Sequence, residues 1–241
     1  MTKTLVVSGG TKGIGKGAVL QLLKDGFNVV TFSRDQKNCD SLLSEIKKLK
    51  INEKRYLIMK GDVTNENEVS AIVSKTIQKF GSIDILINNA GFGYFADCDK
   101  VDMSKFESMI KTNLVGVALL TKIVVPQMKK QKSGLIMNLV SISGKRAFTN
   151  GEFYSATKFA LSGYSEGIRN ELKDFGIKVC TICPGMIKTD FFTKEELERR
   201  VKVLGIKNLK MLNVDDISRI ISLVCTQSDN CDIQDIIVMP F

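Results

Sequence analysis

A tyrosine and a lysine four residues apart are the most chemically suggestive pair in this sequence. Tyr154 and Lys158 both lie in a helical pattern that covers residues 153–175. Side chains at positions i and i+4 share one face of a helix. A phenol, with a pKa of about 10, exchanges protons poorly at neutral pH, and a nearby cation favours the phenolate. The spacing predicts a tyrosine that transfers a proton beside a lysine, although long helices also contain such pairs by chance.

A glycine-rich turn follows the first strand-like run of the chain. It reads Ser8-Gly-Gly-Thr-Lys-Gly-Ile-Gly15, and a helical pattern begins within it. Glycines let the backbone turn sharply and approach a pyrophosphate, whose charge is met by the N–H groups and the dipole at the helix start. Glycine is also common in ordinary loops, but the position of this turn after a first strand favours phosphate binding.

Strand and helix patterns alternate along the chain and predict the scaffold that positions these residues. Seven β-rich runs are expected at Thr4–Ser8, Asn28–Ser33, Tyr56–Lys60, Ile83–Asn88, Gly134–Ser141, Ile177–Ile182 and Asp235–Met239. Helical patterns lie between them, at Gly13–Lys24, Gln36–Leu49, Glu66–Phe80, Met103–Lys129 and Phe153–Phe175. Regular alternation implies right-handed crossovers. We expect an α/β, Rossmann-type doubly wound fold, in which a seven-stranded parallel sheet carries helices on both faces.

No linker-like segment, repeat or low-complexity tract interrupts the chain, so we expect a single domain over residues 1–241. Residues 189–213 form the least regular stretch, charged and helical in propensity, and we expect a lid or substrate loop there. Pro184 is expected just beyond a strand, where it ends the hydrogen-bond ladder.

The composition is that of an ordinary globular protein and excludes several kinds of site. Of 241 residues, 44% are hydrophobic and 25% charged, close to globular averages. No apolar run approaches the roughly 18 residues that a membrane-spanning helix needs, so we expect a cytoplasmic protein without a membrane partner. Histidine is absent, which excludes histidine-containing triads and histidine-ligated metals. No metal is expected.

Charge and cysteines point to no further specialised chemistry. The formal net charge is +9, but the lysines are dispersed, so we expect attraction of an anionic cofactor and no nucleic-acid partner. Cys180-Thr-Ile-Cys183 is the one CxxC. It lies in a strand pattern, where residues three apart face opposite sides. Buried thiols are therefore favoured over a redox or metal-binding pair.

The glycine spacing resembles the TGxxxGxG turn of short-chain dehydrogenases/reductases, with Ser8 in place of the usual threonine. Further matches to that family follow in its order along nearly the whole chain, at Asp62-Val63, Asn88-Asn-Ala-Gly91, Asn113, Ser141, Tyr154-Ser-Ala-Thr-Lys158, Pro184-Gly185 and Thr189. The resemblance implies an oxidoreductase that interconverts a carbonyl and a secondary alcohol by hydride transfer, with Tyr154 as the acid/base.

The resemblance also assigns the catalytic residues, which are Asn113, Ser141, Tyr154 and Lys158. In the family the serine hydroxyl polarises the substrate carbonyl, and the asparagine kinks its helix and holds a water in a proton relay to the lysine. Ser143 is an alternative to Ser141, but the family pattern places a glycine three residues after the catalytic serine, as Gly144 follows Ser141. Asn113 could also be an ordinary helix-surface amide.

By the same resemblance a dinucleotide is bound along the carboxyl ends of the strands. In the family the aspartate after the third strand hydrogen-bonds the adenine amine, which assigns that role to Asp62. The implied cofactor-binding residues are Gly9, Thr11, Lys12, Gly13, Ile14, Gly15, Ser33, Arg34, Asp62, Val63, Asn89, Ala90, Gly91, Tyr154, Lys158, Pro184, Gly185, Ile187 and Thr189.

The end of the second strand predicts which dinucleotide is used. An NAD enzyme presents an acid there to the ribose 2′-hydroxyl, whereas this chain has Ser33, followed by Arg34. Lys12 in the glycine-rich turn is a second cation that could reach a 2′-phosphate. Asp35 argues the other way, but at a helix start it is better explained as an N-cap. NADP(H) is the expected cofactor.

The substrate is expected to be a small-molecule carbonyl or alcohol. Aromatic and apolar residues should surround it, although core packing or subunit contacts would explain some of them: Tyr94, Phe95, Phe148, Met186, Phe191 and Phe192. A 3-oxoacyl-carrier-protein reductase is an alternative, less favoured because the chain stops at Val238-Met-Pro-Phe241, without that group's glycine-rich end. A non-catalytic NADP(H)-binding regulator is another alternative, and a lysine-rich nucleic-acid binder a third.

A homodimer or homotetramer is expected, because the helices at 103–129 and 153–175 resemble those that pair between subunits in the family. Their outward apolar positions are expected to include Leu119, Ile123, Leu161 and Ile168.

Overall fold

The computed structural model describes residues 2–204 and 210–241. Within these ranges, seven strands form one parallel sheet in the order β3-β2-β1-β4-β5-β6-β7. The strands are β1 Thr4–Ser8, β2 Asn28–Ser33, β3 Tyr56–Lys60, β4 Ile85–Asn88, β5 Gly134–Leu139, β6 Ile177–Pro184 and β7 Asp235–Val238. The doubly wound, seven-stranded parallel sheet predicted from the sequence is confirmed.

Helices cover both faces of the sheet. In chain order they are α1 Gly13–Lys24, α2 Gln36–Lys48, α3 Glu66–Phe80, α4 Met103–Ile110, α5 Gly116–Gln131, α6 Glu152–Leu172, α7 Lys194–Leu204 and α8 Val214–Cys225. Helices α1, α2 and α8 pack on one face of the sheet, and α3, α5 and α6 pack on the other.

The alternation of side chains along each strand divides the core into two layers. In β1, Leu5 and Val7 are fully buried against the α1, α2 and α8 side, whereas Val6 between them is buried against the α3, α5 and α6 side. Successive side chains of a strand point to opposite faces, so a strand covered on both faces must be apolar throughout. This explains why the strand runs of this sequence are continuous rather than alternating.

Polar side chains define where the helices begin. Asp35 precedes α2 and accepts hydrogen bonds from the backbone N–H groups of Lys37 and Asn38, and Asn65 caps α3 in the same way. Such caps satisfy N–H groups that have no partner within the helix. Asp35 is therefore an N-cap, as predicted.

A π-helical segment, Lys111–Val115, joins α4 to α5, with Asn113 at its centre. The irregularity expected at this asparagine is thus present as an inserted wide turn rather than a break. Together, residues 103–131 make the one helix in the described chain that is long and apolar enough to cross a membrane. Here it is about half buried against the rest of the fold, and a soluble protein's core helix meets the same criterion. The absence of a membrane partner stays a prediction.

The helical propensity expected in the stretch 189–213 is present as helix α7, and residues 205–209 of that stretch lie outside the described chain. Two other local predictions need correction. Helix α8 was missed altogether, although Asn213 and Asp216 form a capping box at its start, a signal readable in the sequence. Pro184 is the last residue of β6, paired with Val238, rather than just beyond the strand.

The expected subunit face is also partly wrong. Leu161 was placed on the outside of its helix, but it is 1% exposed and packs with Val117, Val140 and Cys183. It faces inward because α6 lies against the ends of β5 and β6, which cover that side. The homo-oligomer itself stays a prediction.

Replacing Thr31 by valine tests how strongly β1 and β2 depend on a side-chain bridge between them. The Thr31 hydroxyl donates to the Val7 carbonyl at 2.8 Å and accepts from the Gly10 N–H at 3.1 Å, all of it buried. Valine has the same shape but leaves that N–H without a partner, which costs about 1–3 kcal/mol of unfolding free energy. Urea unfolding should show this loss for Thr31→Val and little change for exposed Thr226→Val; equal midpoints would contradict it.

Candidate active site

The site lies where the strand order of the sheet reverses, between the ends of β1 and β4. Hydrogen bonds join the two ends: the Ser8 hydroxyl accepts from the backbone N–H groups of Asn89 and Ala90, each at 3.1 Å. The Asn89 amide donates to the carbonyls of Ser8 and Gly9, both at 3.0 Å. In doubly wound sheets the crevice at this reversal is where ligands bind.

The glycine-rich turn bends through conformations that side chains disfavour. Gly9 has a φ of +66° and Gly13 a φ of +50°, in the left-handed region that glycine enters without steric cost. A Cβ on Gly15 would lie 2.4 Å from the Asn89 amide nitrogen, so Gly15 packs α1 against the neighbouring turn. Lys12, at the N-cap of α1, makes no side-chain capping bond. The first N–H groups of α1 therefore remain available to an anion.

The far end of the crevice carries the residues expected to read the adenosine half of a dinucleotide. Ser33 and Arg34 follow β2 and line the cavity, together with Asp62 after β3. One carboxylate oxygen of Asp62 accepts from the backbone N–H and the hydroxyl of Thr64, both at 2.8 Å. This fixes the orientation of the carboxylate while the other oxygen remains available.

Tyr154 and Lys158 lie together on α6, as their spacing predicted. The Lys158 ammonium is 5.8 Å from the centre of the Tyr154 ring and donates to the Leu139 carbonyl at 2.8 Å. Only 6% of Lys158 is exposed. Burial disfavours the charged form and lowers the pKa of Lys158 from 10.5 to about 8. Ser141 lines the same cavity, and its hydroxyl accepts from the Ser143 N–H at 3.1 Å.

Asn113 is fully buried but does not line the cavity. Its side-chain oxygen accepts from the Phe92 N–H at 3.0 Å, and its amide nitrogen donates to the Phe92 carbonyl at 2.9 Å and to the Thr157 hydroxyl at 3.2 Å. The Thr157 hydroxyl in turn donates to the Tyr154 carbonyl. The side chain of Asn113 thus connects the loop after β4 to the helix that carries the tyrosine.

Aromatic side chains pack around the ring of Tyr154. The Tyr154 ring centre lies 5.6 Å from that of Phe95 and 5.6 Å from that of Phe191, and Phe148 and Phe192 complete the group. Phe148, Phe191, Phe192 and Met186 line the cavity, as predicted. Tyr94 and Phe95 do not line it. The Tyr94 hydroxyl accepts from the Asp102 N–H at 3.0 Å, and Phe95 packs against Phe191 and Phe192.

A polar contact ties the predicted lid to the body of the protein. Arg199 of α7 donates to the carboxylate of Asp97 in the loop after β4, and Asn150 donates to the same carboxylate. Beside this carboxylate, which is partly desolvated, the Arg199 guanidinium and Lys100 ammonium hold the pKa of Asp97 below its usual value. Through Asp97 this contact brings α7 next to the loop that carries Phe95, and through Asn150 next to the segment that carries Phe148.

One cavity of about 480 Å³ collects nearly every residue that the sequence singled out. Of the predicted site residues, Gly15 and Asn113 do not line the cavity. The other predicted site residues all line it: Gly9, Thr11, Lys12, Gly13, Ile14, Ser33, Arg34, Asp62, Val63, Asn89, Ala90, Gly91, Ser141, Tyr154, Lys158, Pro184, Gly185, Ile187 and Thr189. Sequence reasoning missed further lining residues, including Asn38, Phe92, Thr112, Leu139, Val140 and Asp190. Phe92, Val140 and Asp190 directly adjoin predicted positions in the sequence, which is the one signal that could have found them.

Comparison with known proteins shows the family to which this chain belongs. Residues 3–200 match the sequence profile of the short chain dehydrogenase family. The chain belongs to this family. It is an oxidoreductase of the short-chain dehydrogenase/reductase type.

Curated relatives of this dehydrogenase include staphylococcal proteins. An uncharacterized oxidoreductase of Staphylococcus saprophyticus is 36% identical over 78% of this chain and 79% of its own length. A 3-oxoacyl-(acyl-carrier-protein) reductase of Staphylococcus aureus is 32% identical over 79% of this chain and 76% of its own length.

Solved structures share the fold over almost the whole chain. ElxO, described with NADP bound, has a TM-score of 0.83 and 28% identity, and the match covers 100% of this dehydrogenase and 97% of ElxO. A variant of actinorhodin polyketide ketoreductase, described with NADPH, has a TM-score of 0.87 at 23% identity, over 99% and 96% of the two chains.

The CxxC pair of this chain does not line the cavity. Cys180 and Cys183 are both free and fully buried in β6. Burial raises the pKa of Cys180 to about 12 and raises that of Cys183 as well. Thiols that stay protonated are poor nucleophiles and poor metal ligands, which supports the buried-thiol interpretation.

The lowered pKa of Lys158 predicts a specific pH dependence of stability. Between about pH 8 and pH 10.5 the unfolded chain holds a proton on this lysine that the folded chain has released, so stability rises with pH across that window. Relative to Lys158→Met, the wild type should gain on the order of 3 kcal/mol from pH 7.5 to pH 10.5.

Urea unfolding of both proteins at the two pH values measures this difference and cancels the groups they share. Replacing exposed Lys24 by methionine controls for the general effect of removing a lysine. A difference between wild type and Lys158→Met that stays flat or shrinks with rising pH would show that Lys158 is not the desolvated cation described here.

Proposed function

We propose that this chain is an NADP(H)-dependent oxidoreductase that interconverts a carbonyl and a secondary alcohol, with residues 1–241 acting as one catalytic domain. The observation that carries the proposal is that Tyr154, Lys158 and Ser141 line the same cavity as the glycine-rich turn. A proton donor, a cation and a hydroxyl beside a dinucleotide-shaped crevice suit carbonyl reduction.

The crevice fits a dinucleotide along its length. Gly9 and Gly13 keep side chains away from the place where a pyrophosphate would lie, and the uncapped start of α1 faces it. Thr189 lies beside this turn, its methyl carbon 3.6 Å from where a Cβ on Gly13 would be. The residues assigned to the adenosine and nicotinamide ends line the same continuous cavity.

Charge at the end of β2 favours NADP(H) over NAD(H). Lys12 and Arg34 both line the cavity near Ser33, so two cations can meet a 2′-phosphate. Asp35 does not line the cavity. Its carboxylate is held at the start of α2, where it accepts from the N–H groups of Lys37 and Asn38 and from the Asn38 amide at 2.8 Å. ElxO, the NADP-bound structure at 28% identity, supports the same choice.

In this proposal the nicotinamide supplies or accepts the hydride, and the protein handles the proton. Tyr154 donates its hydroxyl proton to the carbonyl oxygen during reduction and takes it back during oxidation. Lys158, held at the Leu139 carbonyl, favours the phenolate form of Tyr154 by its charge. Ser141 donates a hydrogen bond to the same carbonyl oxygen, while the Ser143 N–H holds its hydroxyl in place.

Asn113 supports this chemistry from behind the cavity. Both amide hydrogens are used, by Phe92 and Thr157, so a relay water would have to bind its side-chain oxygen or the nearby backbone. The relay role predicted for Asn113 therefore remains part of the proposal, supported by the π-helical segment in which it lies.

The alternatives share the fold and differ in the reaction. A 3-oxoacyl-carrier-protein reductase would use the same residues, and the relative from Staphylococcus aureus keeps that substrate in consideration. A non-catalytic NADP(H)-binding regulator would have no use for Tyr154 and Lys158 at the end of the crevice. Turnover that depends on Tyr154 separates an enzyme from a regulator.

Tyr154→Phe should abolish most of the turnover while the fold and cofactor binding persist. Loss of a general acid typically costs about 10²- to 10⁴-fold in rate, and phenylalanine keeps the ring that packs against Phe95 and Phe191. The measurement is NADPH consumption with a panel of carbonyl compounds, alongside NADPH affinity by fluorescence. Activity above a tenth of the wild type would refute the role of Tyr154.

Two substitutions at the end of β2 should reverse the cofactor preference. Arg34→Ala removes a charge-assisted contact worth about 1.5–3 kcal/mol, which corresponds to roughly 10- to 150-fold weaker NADPH binding with little effect on NADH. Adding Ser33→Asp supplies a carboxylate that accepts from the ribose hydroxyls of NADH and repels the phosphate of NADPH.

The quantity to compare is kcat/KM for NADPH and NADH with one carbonyl substrate, in the wild type, Arg34→Ala and the double variant. The wild type should prefer NADPH and the double variant NADH. A double variant that keeps the NADPH preference would mean that the 2′-phosphate is held elsewhere.

A further inference from the structure

An aromatic cluster adjoins the catalytic tyrosine, and we propose that it selects the substrate. The inferred substrate is a ketone or aldehyde that carries an aromatic ring next to its carbonyl. The inference rests on the proposed function and deepens it by naming a substrate class. The cluster consists of the rings of Phe95, Phe148, Tyr154, Phe191 and Phe192.

Phe95 is the centre of this aromatic cluster. Its ring centre lies 5.1 Å from that of Phe192, 5.6 Å from Tyr154, 6.1 Å from Phe148 and 6.2 Å from Phe191. Aromatic rings attract one another at centre distances of about 4.5–7 Å. Phe95 therefore holds together rings that come from three separate segments of the chain.

Three rings of the cluster contribute aromatic surface to the cavity. Phe148, Phe191 and Phe192 line the cavity and are only half buried, so part of each ring still faces solvent. Tyr154 meets Phe191 at 62°, and Phe191 meets Phe192 at 80°, which are edge-to-face arrangements. A further flat ring can extend such an array by the same contacts, whereas a saturated ring is thicker and has no π face.

Two glycines make room for this cluster. A Cβ on Gly151 would lie 1.9 Å from the Phe148 ring, and one on Gly93 would lie 2.6 Å from the Phe95 ring and 2.9 Å from the Phe191 ring. Gly151 has a φ of −124°, which any residue can adopt, so backbone freedom is not what this position needs. The space left by the missing side chains is what admits the rings.

The position of the cluster relative to Tyr154 decides which part of the substrate it contacts. A carbonyl oxygen bonded to the Tyr154 hydroxyl and to Ser141 lies at the edge of the cluster, since the Tyr154 ring is itself a member. The group attached directly to the carbonyl carbon must then lie against Phe148, Phe191 or Phe192. Aromatic contact there would position the carbonyl as well as bind the substrate.

A matched pair of ketones tests this assignment. Acetophenone and cyclohexyl methyl ketone have similar size and the same acetyl group, and differ in whether the ring is flat and aromatic. Phe192→Leu should lower the ratio of kcat/KM for acetophenone to that for the cyclohexyl ketone by about 2- to 10-fold, as expected for one lost aromatic contact. Phe175→Leu, at an exposed phenylalanine beyond the end of α6, is the control and should leave the ratio unchanged.

Gly93→Ala provides a second variant that touches neither substrate nor proton chemistry. By displacing Phe95 and Phe191 it should lower the same ratio. A ratio that stays at the wild-type value in both Phe192→Leu and Gly93→Ala would overturn the inference and leave the proposed function intact. Turnover of the cyclohexyl ketone by each variant reports that it has folded.

Binding of two unreactive amides separates failure of the inference from failure of the proposed function. Benzamide and cyclohexanecarboxamide mimic the two ketones and cannot be reduced. Wild type that reduces neither these ketones nor any member of the wider carbonyl panel would contradict the proposed function. Calorimetry in the presence of NADP⁺ then still decides the inference: tighter binding of benzamide, lost in Phe192→Leu, supports it, and equal binding of the two amides overturns it.

Discussion

Hydrogen bonds between the ends of β1 and β4 determine the shape of the crevice on which the remaining site depends. The Ser8 hydroxyl accepts from two N–H groups of the Asn89-Ala90 turn, and the Asn89 amide donates back to two carbonyls of the first turn. Both strands end here, so these backbone groups have no ladder partner and need others. These reciprocal hydrogen bonds hold the two turns together. They therefore fix the position of the glycine-rich turn relative to the sheet and to the helices that follow.

Elsewhere in the crevice, one side chain, Lys158, lowers the stability of the folded protein while it supports the proposed reaction. Burial of Lys158 disfavours its charge, and the Leu139 carbonyl offsets only part of that cost. The same low-dielectric setting strengthens the field that the ammonium exerts on Tyr154. In the proposed enzyme, a Tyr154 phenolate or an anionic cofactor would favour the charged form of Lys158. The buried charge of Lys158 therefore costs more stability in the free protein than it does during the reaction.

The fold was predictable from the sequence because it follows from local patterns, and most cavity residues were predictable because their motifs resemble those of the short-chain dehydrogenase/reductase family. Apolar runs mark strands buried on two faces, and motif positions at strand ends meet at one sheet edge. Contacts between distant segments were not predictable. Nothing local to Asn113 indicates that its amide is bound by Phe92 and Thr157, and nothing local to Leu161 indicates that it faces inward. The grouping of Phe95 with rings from three segments likewise requires the tertiary structure.

The π-helical segment Lys111–Val115 has a consequence for how the chain tolerates changes of length. A π turn holds one residue more than an α turn, so it stores a single insertion within an otherwise continuous helix. Removing one residue there would restore a regular helix and leave α4 and α5 with the faces they have now, so Leu120 and Val124 would stay against the sheet. What the deletion would change is the position of Asn113, which bonds Phe92 and Thr157 from within the wide turn. The extra residue between α4 and α5 therefore serves the placement of one buried amide, while the packing of the two helices does not depend on it.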